Sequence, residues 1–178
     1  GVSSFPLIEN KHRNGILDIS YIPANVTQTI QQQASVAAIN LVNQLEYVGL
    51  LTIEFFITLD NQLLVNEIAP RPHNSGHITL EAATTSQYEQ QLRAICGLPL
   101  GSTTLKQAGA MLNLLGDVWL NAGINANQIL LNSFPEAKFH WYGKSVAKAG
   151  RKMGHISLTN SDQLQLINQI QELKAKLN

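Results

Sequence analysis

The chain has 178 residues, and its twelve basic side chains are balanced by twelve acidic ones. That neutrality excludes a protein that grips nucleic acid over its whole surface, which needs a cationic surplus to release counterions. One cysteine, Cys96, excludes an internal disulfide framework, and no apolar run reaches the roughly 18 residues of a membrane span.

The chain opens at Gly1 without a methionine, close to a strand-like segment, which reads as a piece of a longer protein. Extended segments are expected at residues 4–9 and 16–22, with 10–15 as a polar loop between them. From 27 to 47 the period becomes helical, with Ile30, Val36, Ala37, Ile39, Leu41 and Leu45 as the apolar stripe and Gly49 as the stop. Residues 50–59 alternate with period two, Asp60-Asn61 is a turn pair, and 62–69 is a second strand ended by Pro70 and Pro72. Ser86-Gln87-Tyr88-Glu89 spells a capping box, opening a helix that stops at Gly97. Cys96, inside that helical segment, reads as a buried thiol.

Leu98-Pro99-Leu100-Gly101 is the expected domain boundary, giving domains 1–100 and 101–178. Beyond it come a strand at 108–115, extended pieces near 129–131 and 137–142, and another strand near 153–158. Ser161 is expected to cap a last helix whose apolar face is Leu164, Ile167, Ile170, Leu173 and Leu177. Trp119 and Met111 are assigned to the core.

Three clusters carry chemistry. If Asp60-Asn61 makes the hairpin turn with Leu59 opposite Gln62, Glu54 lands opposite Glu67. Directly paired side chains lie about 4.5–5.5 Å apart, and like charges there repel. Such a pair calls for a compensating cation, and with Asn66 beside it suits Mg²⁺, an ion that prefers oxygen ligands. The same spacing is compatible with a slipped register, or with Glu54 facing water beside Thr52 and Thr58. The loop that follows packs Arg71, His73, Asn74, Ser75 and His77 into a few residues. Arginine offers a planar fork for oxyanions and histidine can move a proton near neutrality. His77 is assigned to the loop's structure. The third cluster, His140-Trp141-Tyr142-Gly143-Lys144 with Lys148 and Gly150-Arg151-Lys152-Met153-Gly154-His155, reads either as a bent cationic arm for phosphate or as a solvated basic turn.

Asn66-Glu67-Ile68-Ala69-Pro70-Arg71-Pro72-His73-Asn74-Ser75-Gly76-His77 resembles the signature of the 5-(carboxyamino)imidazole ribonucleotide synthase family, in the ATP-grasp superfamily. The family usually has valine where this chain has Pro72, a change that removes one backbone N–H. The resemblance continues at Glu9-Asn10-Lys11-His12, Gly15-Ile16-Leu17, Ser86-Gln87-Tyr88-Glu89, Leu92-Arg93-Ala94-Ile95, Leu98-Pro99-Leu100, His140 to Lys144 and Gly150 to His155.

It implies an α+β fold: the C-terminal part of an ATP-grasp domain, a mostly antiparallel sheet with flanking helices, then a small β-rich C-terminal domain ending in a helix. It also implies a ligase that uses ATP and bicarbonate, through carboxyphosphate, to carboxylate the exocyclic amine of 5-aminoimidazole ribonucleotide in purine biosynthesis. By the same resemblance Glu54 and Glu67 hold Mg²⁺, and His12, Asn66 and Glu67 serve the nucleotide. Arg71, His73 and Asn74 hold bicarbonate or carboxyphosphate, and Lys144, Arg151 and Lys152 take the ribonucleotide's phosphate. ATP and Mg²⁺ are the implied cofactors. A cytoplasmic homodimer is implied, with no membrane or nucleic-acid partner.

The family's first domain, its ATP-clamping lysines and its glycine-rich lid would precede Gly1. The chain alone is therefore expected neither to hydrolyse ATP nor to bind it tightly. The alternatives are another ATP-grasp carboxylate–amine ligase, which would share the glutamate pair, and a non-catalytic nucleotide-binding module.

Overall fold

A computed structural model describes residues 1–122, 126–133 and 135–177. The strands are β1 (Glu9–Arg13), β2 (Ile16–Ile22), β3 (Thr52–Ile57), β4 (Leu63–Ala69), β5 (Ala108–Leu115), β6 (Lys138–Trp141) and β7 (Lys152–Asn160). The helices are α1 (Gln28–Gln44), α2 (Thr79–Ala82), α3 (Gln87–Ile95), α4 (Gly116–Ala122), α5 (Ala126–Ser133) and α6 (Gln163–Leu177), with a 3₁₀ turn at Asn74–Ile78. The expected α+β class holds.

The chain parts into two compact units, Gly1–Ile8 with Pro23–Lys106, and Glu9–Ile22 with Gln107–Asn178. This differs twice from a division into 1–100 and 101–178. Glu9–Ile22 joins the second unit because β2 hydrogen-bonds to β5 in one sheet. Residues 101–106 stay with the first because Gln90 clips both backbone groups of Gly101, at 2.6 and 3.0 Å, and Lys106 N donates to Ala82 O.

In the first unit Thr27 caps α1, its hydroxyl accepting from Ile30 N. The buried side of α1 is Ile30 and Ala34, while Val36 and Leu45 of the expected stripe are exposed. Ser86 caps α3 as the capping box requires, accepting from Glu89 N at 3.2 Å. The Glu89 carboxylate, however, turns to Arg93 at 2.8 Å. Helix α3 is inverted in polarity: Gln87 and Gln90 are buried, and Leu92 and Ile95 are exposed. Cys96 ends that helix exposed, not buried, because the packed side of α3 is its glutamine side.

The second unit is an antiparallel sheet in the order β1-β2-β5-β7-β6. Asn14 and Gly15 both take positive φ, 52° and 75°, the two-residue turn whose twist suits a hairpin. That turn corrects the strand expected at 4–9: β1 is Glu9–Arg13, an edge strand that needs no apolar residues. Ile19, Tyr21, Leu112, Leu114, Ile156 and Leu158 form the core with Leu166, Ile170, Leu173 and Leu177 of α6. Met111 is buried and Trp119 packs against the core.

Two further readings are corrected here. Residues 129–131 lie in α5, since a short apolar run has no period by which to tell strand from helix. Asp162 caps α6, its Oδ1 accepting from Leu164 N at 2.9 Å and Gln165 N at 3.1 Å. The first core residue of that helix is Leu166, and Leu164 is exposed.

Candidate functional site

The β3–β4 hairpin turns through Leu59, Asp60 and Asn61, with Asn61 at φ 62°. Thr58 N donates to Gln62 O at 3.0 Å, and the Asp60 carboxylate accepts from Thr58 Oγ1 and from Gln62 Nε2. Those bonds hold the exposed Asp60 carboxyl below the usual carboxylate range, the Thr58 hydroxyl most of all. Ile57 pairs with Leu63 and Phe55 with Val65; after a shift, Glu54 pairs with Glu67, Ile53 with Ile68 and Thr52 with Ala69.

The extra residue on β4 is Asn66, a β-bulge, which sets two residues against one on the partner strand. Counting from Leu59 opposite Gln62 reaches the same Glu54–Glu67 pair by another route. The tip is one residue longer than that, because Leu59 joins Asp60 and Asn61 in the loop, and the bulge restores the register. Its consequence is that Asn66 and Glu67 both oppose Glu54, and Asn66 Nδ2 donates to Glu54 Oε2 at 3.2 Å.

Two side chains from the next loop flank the carboxylates. His73 Nδ1 lies 3.6 Å from Glu54 Oε1, with side chains only 13% and 15% exposed. Arg71 Nη2 lies 4.0 Å from Glu67 Oε1, with both side chains more than half exposed, so that pair is screened and weak. His73 caps the 3₁₀ turn, its Nδ1 accepting from Ser75 N and bonding Ser75 Oγ at 2.8 Å. Asn74 lies in the same turn, and its Nδ2 is buried with no hydrogen-bond partner among the described residues. The structure thus brings together Glu54, Asn66, Glu67, Arg71, His73 and Asn74. Among the described residues no three His, Cys, Asp or Glu side chains gather as an all-protein metal site. Mg²⁺ is commonly held by one or two carboxylates plus substrate phosphates, so the Glu54–Glu67 pair with its neighbouring amide oxygen fits that ion.

The second unit carries the cationic arm. Lys144 Nζ donates to Lys152 O, and Arg151 Nη1 donates to Val146 O at 3.0 Å. Gly143 and Gly150 both take positive φ, 70° and 69°, a conformation that favours glycine. Tyr142 OH bonds Nδ1 of buried His155 at 2.8 Å, and His155 stacks on His140. His12 is exposed on β1 of this unit.

Sequence reasoning missed two supports. Asp117 Oδ2 accepts from Gly150 N at 2.7 Å, and Gly116 N donates to Arg151 O at 2.8 Å. Gln87, read only as part of a capping box, is buried against the loop of His73 and His77. Neither has a signal in local spacing, since each acts on a segment 10 or more residues away.

A family model for the ATP-grasp domain matches residues 1–88. One described as the phosphoribosylaminoimidazole carboxylase C-terminal domain matches residues 109–169. The chain is 50% identical over 170 residues to N5-carboxyaminoimidazole ribonucleotide synthase of Bacillus subtilis (strain 168), covering 95% of this chain and 43% of that one. A crystal structure of an ADP complex of N5-carboxyaminoimidazole ribonucleotide synthetase matches with a TM-score of 0.86 at 42% identity, over 96% of this chain and 44% of that one. The Aspergillus clavatus N5-carboxyaminoimidazole synthase, in complex with ADP and 5-aminoimidazole ribonucleotide, matches with a TM-score of 0.87 at 37% identity, over 97% and 47%. The chain therefore spans less than half the length of these relatives.

Proposed function

The chain belongs to the N5-carboxyaminoimidazole ribonucleotide synthase family, and on that premise we propose that the full-length gene product is an ATP-dependent carbon–nitrogen ligase. It uses ATP and bicarbonate to carboxylate the exocyclic amine of 5-aminoimidazole ribonucleotide. The observation that carries this reading is the bulge, which sets Asn66 and Glu67 together against Glu54. Two adjacent carboxylates repel unless a cation sits with them, and a nucleotide-bound Mg²⁺ relieves that repulsion. When bound, the ion supplies charge neutralisation at the transferring phosphoryl group.

In this reading Glu54 and Glu67 hold the ion, and Asn66 orients Glu54 while contacting the triphosphate. His12 lies in the nucleotide pocket. Arg71 presents its guanidinium fork to bicarbonate or carboxyphosphate, with His73 and Asn74 as further donors beside it. Phosphoryl transfer needs positioning and charge more than covalent help, and rigid strands with a proline-flanked loop supply positioning. Lys144, Arg151 and Lys152 take the ribonucleotide's phosphate, and the Gly116-Asp117 pair holds their turn. The matched stretches support a family-level division near residue 100, as residues 1–100 and 101–178. A cytoplasmic homodimer completes the proposal. Among the described residues no helix is long and apolar enough to cross a membrane.

The test is ADP release by the full-length gene product with Mg-ATP, omitting bicarbonate and the ribonucleotide in turn. Release that needs both is the expected result, and Lys144→Ala is expected to raise KM for the ribonucleotide at least about tenfold while leaving KM for ATP unchanged. ADP release indifferent to the ribonucleotide would leave an ATP-grasp enzyme of another specificity.

A further inference from the structure

Helix α3 begins with a glutamine that is 2% exposed. A buried amide is costly unless its donors and acceptor are matched, and Gln87 is matched almost entirely by one loop. Its Oε1 accepts from His73 N at 2.9 Å, and its Nε2 donates to His73 O at 2.9 Å. The two bonds to a single residue fix which end of the amide is oxygen. The remaining Nε2 proton then meets His77 Nδ1 at 2.9 Å. Gln87 N donates to Thr79 Oγ1, which itself donates to Gly76 O at 2.6 Å. At Gly76 a Cβ would come within 2.3 Å of Gln87 Oε1, so loop and amide are in closest approach there.

We propose that Gln87 is the positioning residue of the signature loop: its one amide sets both the place of His73 beside Glu54 and the tautomer of His77. This inference rests on the ligase reading for its effect on turnover, though not for its geometry. Because His73's peptide orients the amide, His77 Nδ1 faces an N–H donor and must accept. The proton of His77 is therefore on Nε2. Tyr88 OH, 2.7 Å from the same Nδ1, competes with Gln87 for that one lone pair. Burial pushes the Tyr88 hydroxyl above its ordinary pKa, with the nearby Gln87 side chain acting in the opposite direction. His77 stacks on Tyr88 with ring centroids 5.7 Å apart, which holds the imidazole plane. His77, assigned by sequence to the loop's structure alone, is thus the ring through which the clamp can be read.

The experiment is ¹⁵N NMR of the histidine rings in this 178-residue chain, beside Gln87→Glu and Tyr88→Phe. The wild type is expected to show His77 protonated at Nε2 and not at Nδ1. In Gln87→Glu a carboxylate oxygen replaces the donor, so Nδ1 is expected to gain the proton and the His73 amide resonance to move. In Tyr88→Phe the wild-type tautomer is expected to persist. A wild-type His77 protonated at Nδ1 would overturn the proposal, and so would a tautomer that follows Tyr88 instead of Gln87. In the full-length gene product, Gln87→Glu is expected to lower kcat at least about tenfold with KM for ATP within about twofold. An unchanged kcat beside a switched His77 would overturn the positioning role. Loss of ribonucleotide dependence in the wild type would instead fall on the ligase reading.

Discussion

Gly116 shows how one residue can place a cationic arm it does not join. A Cβ there would lie 2.1 Å from Lys148 O and 2.6 Å from Lys148 N, both backbone atoms that cannot swing aside. The same residue's N–H holds Arg151 O, and its neighbour Asp117 holds Gly150 N. Gly116→Ala is expected to force the arm outward and cost about 1–3 kcal/mol as overpacking does. Thermal unfolding should show it as a fall of several degrees, about 2–4 °C per kcal/mol for a chain of this size. A variant melting within a degree of wild type would contradict the contact. The candidate residues could be named from sequence, because Glu, Arg, His and Lys stand out by type. Their supports could not: Gly116, Asp117 and Gln87 act through backbone atoms that sequence order does not bring near. Cys96 failed for a related reason, since its burial depended on which side of α3 packs.

At the scale of elements, periodicity and caps were enough for most of the chain, and the exceptions share a cause. The tight Asn14-Gly15 turn was passed over because the residues around it are polar, yet β1 is an edge strand and tolerates that. Helix α3 kept the expected start and stop but packs by its amides, each clipping a loop: buried Gln87 holds His73, buried Gln90 holds Gly101, and half-buried Gln91 accepts through Oε1 from Leu50 N at 2.6 Å. Apolar patterning cannot flag a helix that packs by its polar side. The hairpin shows two errors that cancel: a tip one residue longer than counted takes Leu59 out of β3, and a bulge at Asn66 on β4 restores the register.

Its tip offers a direct check. Asp60 has a lowered pKa in the folded hairpin, so its bonds favour the turn above the ordinary carboxylate pKa, and that contribution is lost as pH falls through the folded value. Removing the Thr58 hydroxyl with Thr58→Ala is expected to move the Asp60 carboxyl titration upward, measured by NMR against pH. An unmoved midpoint would mean that Thr58 does not hold the carboxylate.

For the whole molecule, the sequence order hides one exchange. The hairpin of β1 and β2 belongs to the sheet of the second unit although it precedes nearly all of the first. Long-range strand pairing of this kind leaves no local mark, so a boundary drawn from Leu98-Pro99-Leu100-Gly101 had no means of finding it. What each unit presents is clear: a carboxylate pair with an amide, an arginine and a histidine in one, and a glycine-hinged cationic arm in the other. The central claim is that the bulge builds a cation cradle from Glu54, Asn66 and Glu67, and the most direct test is the Mg²⁺ dependence of ADP release by the full-length gene product. Glu54→Gln and Glu67→Gln are each expected to raise the half-maximal Mg²⁺ concentration about tenfold or more and to cut maximal release by about 10²-fold or more. Asn66→Ala should shift the Mg²⁺ requirement less than either. Variants of Glu54 and Glu67 that keep the wild-type Mg²⁺ profile would contradict the account.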